Sequence, residues 1–166
     1  MAVKSLIETV TVGAGGAASI EFVAIDQTGQ DLVLVISSRS SSTGSTNAGW
    51  IKFNGSATDP SAVVLASFTG GTPVSLSWRY TQRINGAGST ANTFNSSSIY
   101  ISNYASSATK TYSAESVTEN NSTDSDLQLS AGTWGVTDAI TSLEIISHTQ
   151  PYVQHTTASL YKIKYD

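Results

Sequence analysis

Two histidines, His148 and His155, are the only imidazoles in the chain, and they flank Pro151 and Tyr152. An imidazole pair can begin a metal site, yet no carboxylate stands near them in sequence, so they read as loop or strand-end residues. A serine hydrolase would need a G-x-S-x-G elbow, and none is present. Gly13-Ala14-Gly15-Gly16-Ala17-Ala18 spells a G-x-G-x-x-A dinucleotide fingerprint. That chemistry needs a helix N-terminus directly after the glycines to hold the pyrophosphate. Ser19-Ile20-Glu21-Phe22-Val23 follows instead and alternates like a strand, so the glycines predict a hairpin turn. No Lys-Ser/Thr follows them either, which excludes a P-loop.

The acids are 12 in number and mostly scattered singly, so their spacing shows no facing carboxylate pair of the kind glycoside hydrolysis requires. The one cluster runs from Glu119 to Asp126. Its oxygens are dense enough to suggest Ca²⁺, but the EF-hand order is absent, and a solvated turn is the simpler reading. No cofactor or metal is therefore expected. Trp50, Trp78 and Trp134 raise sugar stacking. Trp78 sits among core-type neighbours, whereas Trp50 and Trp134 each stand beside a glycine at a strand boundary and are the candidate platforms.

These residues are carried by alternating segments. Val74, Leu76, Trp78 and Tyr80 predict the buried face of one strand, with Ser75, Ser77, Arg79 and Thr81 opposite. Tyr161, Ile163 and Tyr165 repeat the pattern, and Asp31 to Ile36 reads as a central strand covered on both faces. Further strands are expected at 6–12, 19–25, 50–53, 62–68, 98–102, 109–118, 127–129 and 140–147, with a short helix around Thr137 to Thr141. Ser37 to Gly49 and Ile84 to Ser98 read as long, hydroxyl-rich loops, of the kind that orders against a neighbouring subunit.

The composition fits this outline. The chain has 166 residues, enough for one domain over 1–166. Ser and Thr supply 49 of them, and charged residues only 12%. Thr favours strands, while Ser, Asn and Gly favour turns. The absence of cysteine excludes disulfides and thiolate metal sites. A net charge of −4 argues against neutralising nucleic-acid phosphates, and no apolar run reaches membrane-spanning length. A weakly charged β surface offers little repulsion against self-association.

Several segments of the second half together resemble small structural proteins of tailed-bacteriophage virions. They are Ser98-Ile99-Tyr100-Ile101-Ser102-Asn103-Tyr104, the run from Tyr112 through Val117-Thr118-Glu119-Asn120-Asn121, and Leu129-Ser130-Ala131-Gly132-Thr133-Trp134. Ile140 to Ile145 and the ending Thr157 to Lys164 complete the likeness, and Gly49 to Gly55 adds to it. The resemblance implies a jelly-roll-like antiparallel β-sandwich, an all-β protein made in the host cytoplasm and carried on the virion. It implies a capsid decoration or cement role without enzymatic activity. The partners would be the major capsid protein or copies of itself, as a trimer, without nucleic acid or membrane. A tail or fibre module binding host surface glycan is the alternative. Expected contact residues are Arg39, Ser41, Thr43, Asn47, Trp50, Asn85, Asn92, Phe94 and Trp134, with Met1 to Ser5 as an N-terminal arm.

Overall fold

The computed structural model describes residues 1–56, 60–77, 79–121 and 125–165. In chain order its strands are β1 (Ala2–Thr11), β2 (Ser19–Phe22), β3 (Asp31–Ser37), β4 (Thr46–Phe53), β5 (Ser61–Ser67) and β6 (Val74–Leu76). They continue with β7 (Gln82–Asn85), β8 (Ser96–Ile101), β9 (Lys110–Glu119), β10 (Ser125–Trp134), β11 (Leu143–Ser147) and β12 (Thr157–Tyr165). No helix occurs among the described residues. The strands form two antiparallel sheets, of order β1-β12-β3-β8-β9-β10-β5-β6 and β2-β11-β4-β7, and the protein is an all-β sandwich.

Four pairings nest inside one another: β1 with β12, β2 with β11, β3 with β8 and β4 with β7. The β5–β6 and β9–β10 hairpins are inserted between these nested strands. All four inserted strands join the large sheet beyond β8, so that sheet extends well past the smaller one.

The core lies between the sheets. Leu32, Leu34, Ile99, Ile101 and Leu160 meet Phe22, Ile51, Phe53, Leu143 and Ile145 there, all buried. Each such side chain contributes roughly 1.5–3 kcal/mol of apolar burial. β9 and β10 depart from this pattern at one end. Ser116 and Thr118 of β9 and Gln128 and Ser130 of β10 are buried, while Val117, Leu127 and Leu129 are exposed. Gln128 and Ser130 are inside because they bond to the Tyr80 carbonyl at 3.0 and 3.2 Å. Ser116 faces inward because its hydroxyl accepts the Arg83 N–H at 2.9 Å.

Four expectations need correction. Ala2 to Ser5 are no free arm; they pair with Lys162 to Tyr165 of β12 and cover what would otherwise be a bare sheet edge. Val74 is 41% exposed, because β6 is a three-residue edge strand, and Leu76 and Tyr80 are only half-buried. Trp78 lies outside the described residues. Residues 137–141 are not helical, since their backbone groups serve other segments: Ile140 N–H donates to the Tyr104 carbonyl and Thr141 N–H to Asn54 Oδ1. The two hydroxyl-rich loops are shorter than expected and order against each other. Gly86 N–H donates to the Ser45 carbonyl at 2.8 Å, Ala87 N–H to Ser42 at 2.6 Å and Asn95 N–H to Ser38 at 2.9 Å.

Candidate binding cleft

The unequal sheets create a concavity beside β4. β7 pairs with β4 only from Thr46 to Gly49. Beyond Gly49, the edge of β4 faces the overhanging part of the large sheet and the segment that follows β6. Between them opens a cleft of about 860 Å³.

Three rings define its wall. The Trp50 indole stacks with the Tyr80 ring at 6.3 Å and 28°, and meets the His148 imidazole edge-on at 5.2 Å. Tyr80 and His148 are also 5.2 Å apart. Backbone contacts fix these positions. His148 N–H donates to the Ala48 carbonyl at 2.9 Å, and Thr81 N–H donates to Gly49 at 2.9 Å. Gly49 is required here: a Cβ would stand 2.8 Å from Gln82 Nε2 and 3.0 Å from the Ile146 carbonyl. Trp50 Nε1 is buried and has no hydrogen-bond partner among the described residues.

Polar groups stand around the rings. Asn47 is buried and fixed, donating to Ser147 Oγ at 3.0 Å and accepting from Thr149 Oγ1 at 3.0 Å. Arg79 and Arg83 line the same space. Arg83 lies over the Phe68 ring at 4.8 Å, and its Nη2 is 3.4 Å from Asp126 Oδ2. Its Nε is buried without a partner among the described residues. Tyr112 and Ile51 also line the cleft. The Tyr112 hydroxyl donates to the Ser61 carbonyl at 3.1 Å, and burial raises its pKa to about 12.

The sequence-derived contact residues divide sharply. Trp50 stands in the cleft wall. Trp134 is 1% exposed and packs against Phe53 at 5.4 Å, so it is no surface platform. Asn47 and Asn85 are buried, taken in by the β4–β7 pair. Arg39 is spent inside its own loop system: Nη1 donates to the Thr90 and Thr93 carbonyls at 2.8 and 2.9 Å, and Nη2 to Ser89 at 3.2 Å. Phe94 is half-buried, while Ser41, Thr43 and Asn92 remain exposed on that rim. Tyr80, Arg79, Arg83 and His148 were not among the predicted contact residues. The alternation that placed Tyr80 in the core hid it, and Arg79 and Arg83 carry no local signal.

The acidic cluster is drawn to protein partners at its described ends. Glu119 accepts from Thr90 N–H and Thr90 Oγ1 at 2.9 and 2.8 Å, and Asp126 from Thr69 N–H at 2.9 Å. Residues 122–124 of that cluster lie outside the described residues. The Gly13 to Gly16 segment is a turn, closed by Gly16 N–H on the Gly13 carbonyl, with strand β2 after it. Compared with known proteins, the chain matches no family model and no curated sequence.

Proposed function

We propose that this chain is a non-enzymatic structural protein of a phage virion, a tail or fibre module whose cleft binds glycan on the host surface. The observation that carries the binding role is the Trp50–Tyr80–His148 wall beside fixed amide and guanidinium groups. Aromatic faces cover the apolar face of a sugar ring, while rigid polar groups orient its hydroxyls. The virion assignment rests on the likeness of the second half to phage structural proteins. The nested pairing supports the jelly-roll form of the sandwich: with the two inserted hairpins set aside, each sheet keeps four strands, from two of the four nested pairs.

The test is binding of the purified protein to a panel of bacterial surface polysaccharides, repeated with Trp50→Ala. Binding that the substitution abolishes, with the fold intact, is the expected result. A folded wild-type protein that binds no polysaccharide would overturn the glycan role.

A second reading, a decoration protein cementing the capsid lattice, draws on a different surface. Val63 and Leu65 of β5, Val117 of β9, and Leu127 and Leu129 of β10 are exposed on the outer face of the large sheet. Leu129 is paired with Leu65, and Leu127 with Val117, so the apolar side chains adjoin. Such a patch suits contact with the major capsid protein or with copies of this chain, the expected trimer included. Density for the chain on intact particles separates the two: copies over the lattice support cementing, and copies confined to the tail support the glycan role.

A further inference from the structure

The outer face of the large sheet carries a relief that fits a copy of itself. Its residues line up in rows across six neighbouring strands, from the edge strand β6 to β3. The middle row reads Ser75, Leu65, Leu129, Glu115, Ser98 and Val35. The row beside it reads Ser67, Leu127, Val117 and Ser96. On β5 and β10, Val63, Leu65 and Leu129 form an exposed apolar ridge. On β8 the row positions are serines, and a hollow of about 260 Å³ opens there among Val35, Ser96, Ser98, Val117 and Leu127. Ridge and hollow lie side by side. The six strands hold one Lys or Arg, Lys110, and it is buried. Glu115 is the charged side chain of the middle row, and it accepts a hydrogen bond from Ser98 Oγ at 3.0 Å.

We propose that this face is the interface of a two-fold dimer, in which the ridge of each copy sits in the hollow of the other. A two-fold axis along the strands, between β10 and β9, reverses the order of the six strands. It lays β5 over β8 of the second copy, β10 over β9, and β6 over β3. Leu65 then faces Ser98 of the second copy, Ser75 faces Val35, and Leu127 faces Val117. Large side chains meet small ones or apolar ones meet apolar ones, and each contact occurs twice, as a self-complementary patch requires. Each Glu115 lies against Leu129 of the second copy, so the two carboxylates do not face each other. Charge selects no other partner, because the face offers no exposed cation. Twist selects the same one. Neighbouring strands rotate by about 20–25°, and a copy with the identical twist packs face to face at about −30°. The area suffices: six strands at about 4.8 Å and about 20 Å of strand length give near 600 Å² a copy, or about 1,200 Å² in all, above the roughly 1,000 Å² a specific interface needs. A dimer differs from the trimer that the phage likeness implies, and it depends on neither functional reading above.

The test is the molecular mass of the purified whole chain by sedimentation equilibrium. An interface of this size sits at the small end of its class, so a dimer with a Kd on the order of 10 μM is expected, and loading from about 1 to 200 μM brackets it. Leu65→Asp puts a carboxylate into both halves of the interface and should weaken the dimer at least about a hundredfold. Val23→Asp is the control, an exposed apolar position just after β2 and outside the six strands, and should dimerise as wild type does. Both positions are exposed, and circular dichroism would confirm that each variant is folded. A folded wild-type chain that stays monomeric throughout would overturn the dimer and leave the face to a different protein, the capsid lattice among them. A trimer, or a dimer that Leu65→Asp leaves intact, would overturn it as well. Equal loss in Leu65→Asp and Val23→Asp would mean unspecific adhesion and would also overturn it.

Discussion

Lys110 opens β9 and is only 1% exposed, an unusual setting for an ammonium group. Its Nζ donates toward four backbone carbonyls: Ser106 at 2.8 Å, Ala108 at 2.6 Å, Thr137 at 3.2 Å and Asp138 at 2.7 Å. Two irregular segments are thereby tied together, one before β9 and one after β10. Burial draws the pKa of the ammonium down from its ordinary value, and the nearby Asp138 carboxylate opposes that in part. Lys110→Met keeps the stem and removes the charge. Three charge-assisted hydrogen bonds at roughly 1.5–3 kcal/mol each are lost. Met avoids the several kcal/mol needed to bury an ammonium, but four carbonyls are left without their donor. The balance is a destabilisation of about 3 kcal/mol, or ~6–12 °C in Tm for a domain of this size. Urea and thermal unfolding followed by circular dichroism would measure it. Lys162→Met is the comparison, since its ion pair with Asp26 faces solvent and its loss should cost much less. If Lys110→Met lay within about 1 kcal/mol of wild type, the carbonyl cage would not be a structural tie and the reasoning would fail.

Two further outcomes follow from other sites. Trp134→Ala should cost about 3–5 kcal/mol, because it empties a buried site beside Phe53 and beneath the Lys110 ammonium; unfolding in urea decides this, and a loss under 1 kcal/mol would return Trp134 to the surface. The hydrogen bond from Lys162, with those from Thr28, lowers the Asp26 pKa to about 2 from an ordinary 3.8. A lowered carboxylate adds stability above its unfolded value and loses it as pH falls through the folded value. Wild type should therefore lose stability between about pH 4 and pH 2 more steeply than Asp26→Asn, and parallel acid-denaturation curves would contradict the assignment.

Much of the scaffold was readable from residue order. Asp31 to Ile36 reads as a strand and is β3, between β12 and β8 in the large sheet, but only the face of Leu32, Leu34 and Ile36 is covered; Val35 on the other face is 42% exposed, so the expectation of cover on both faces is corrected. The Tyr161–Ile163–Tyr165 alternation marks a strand that runs to Tyr165. The faces of β9 and β10 were harder to read. Apolar residues at 117, 127 and 129 look like core, yet the inward places are held by Ser116, Gln128 and Ser130, which satisfy backbone groups of the 80–83 segment. Burial there is set by a hydrogen-bond partner some 30 to 50 residues away, and no local period records it. Trp50 and Trp134 show the same limit. Both stand beside a glycine, and only the placement of the second sheet makes one a cleft wall and the other core. The cleft itself has no sequence signature, since it arises from four extra strands extending one sheet past the other.

The nesting of the strand pairs has a consequence for how the chain reaches its native state. The innermost pair joins residues as near as Gly49 and Gln82, 33 positions apart, whereas the outermost joins Ala2 to Tyr165, 163 apart. Closing the outer loop from an unstructured chain costs about 1.4 kcal/mol more than closing the inner one. Each inner pair that has formed shortens the effective loop left for the next. The favoured route therefore runs outward, from β4–β7 through β3–β8 and β2–β11, and the two chain ends meet last. Such order makes folding slow for the size of the domain, because its defining contacts are distant in sequence. It also leaves β1, at the edge of the large sheet, as the strand that peels from β12 first.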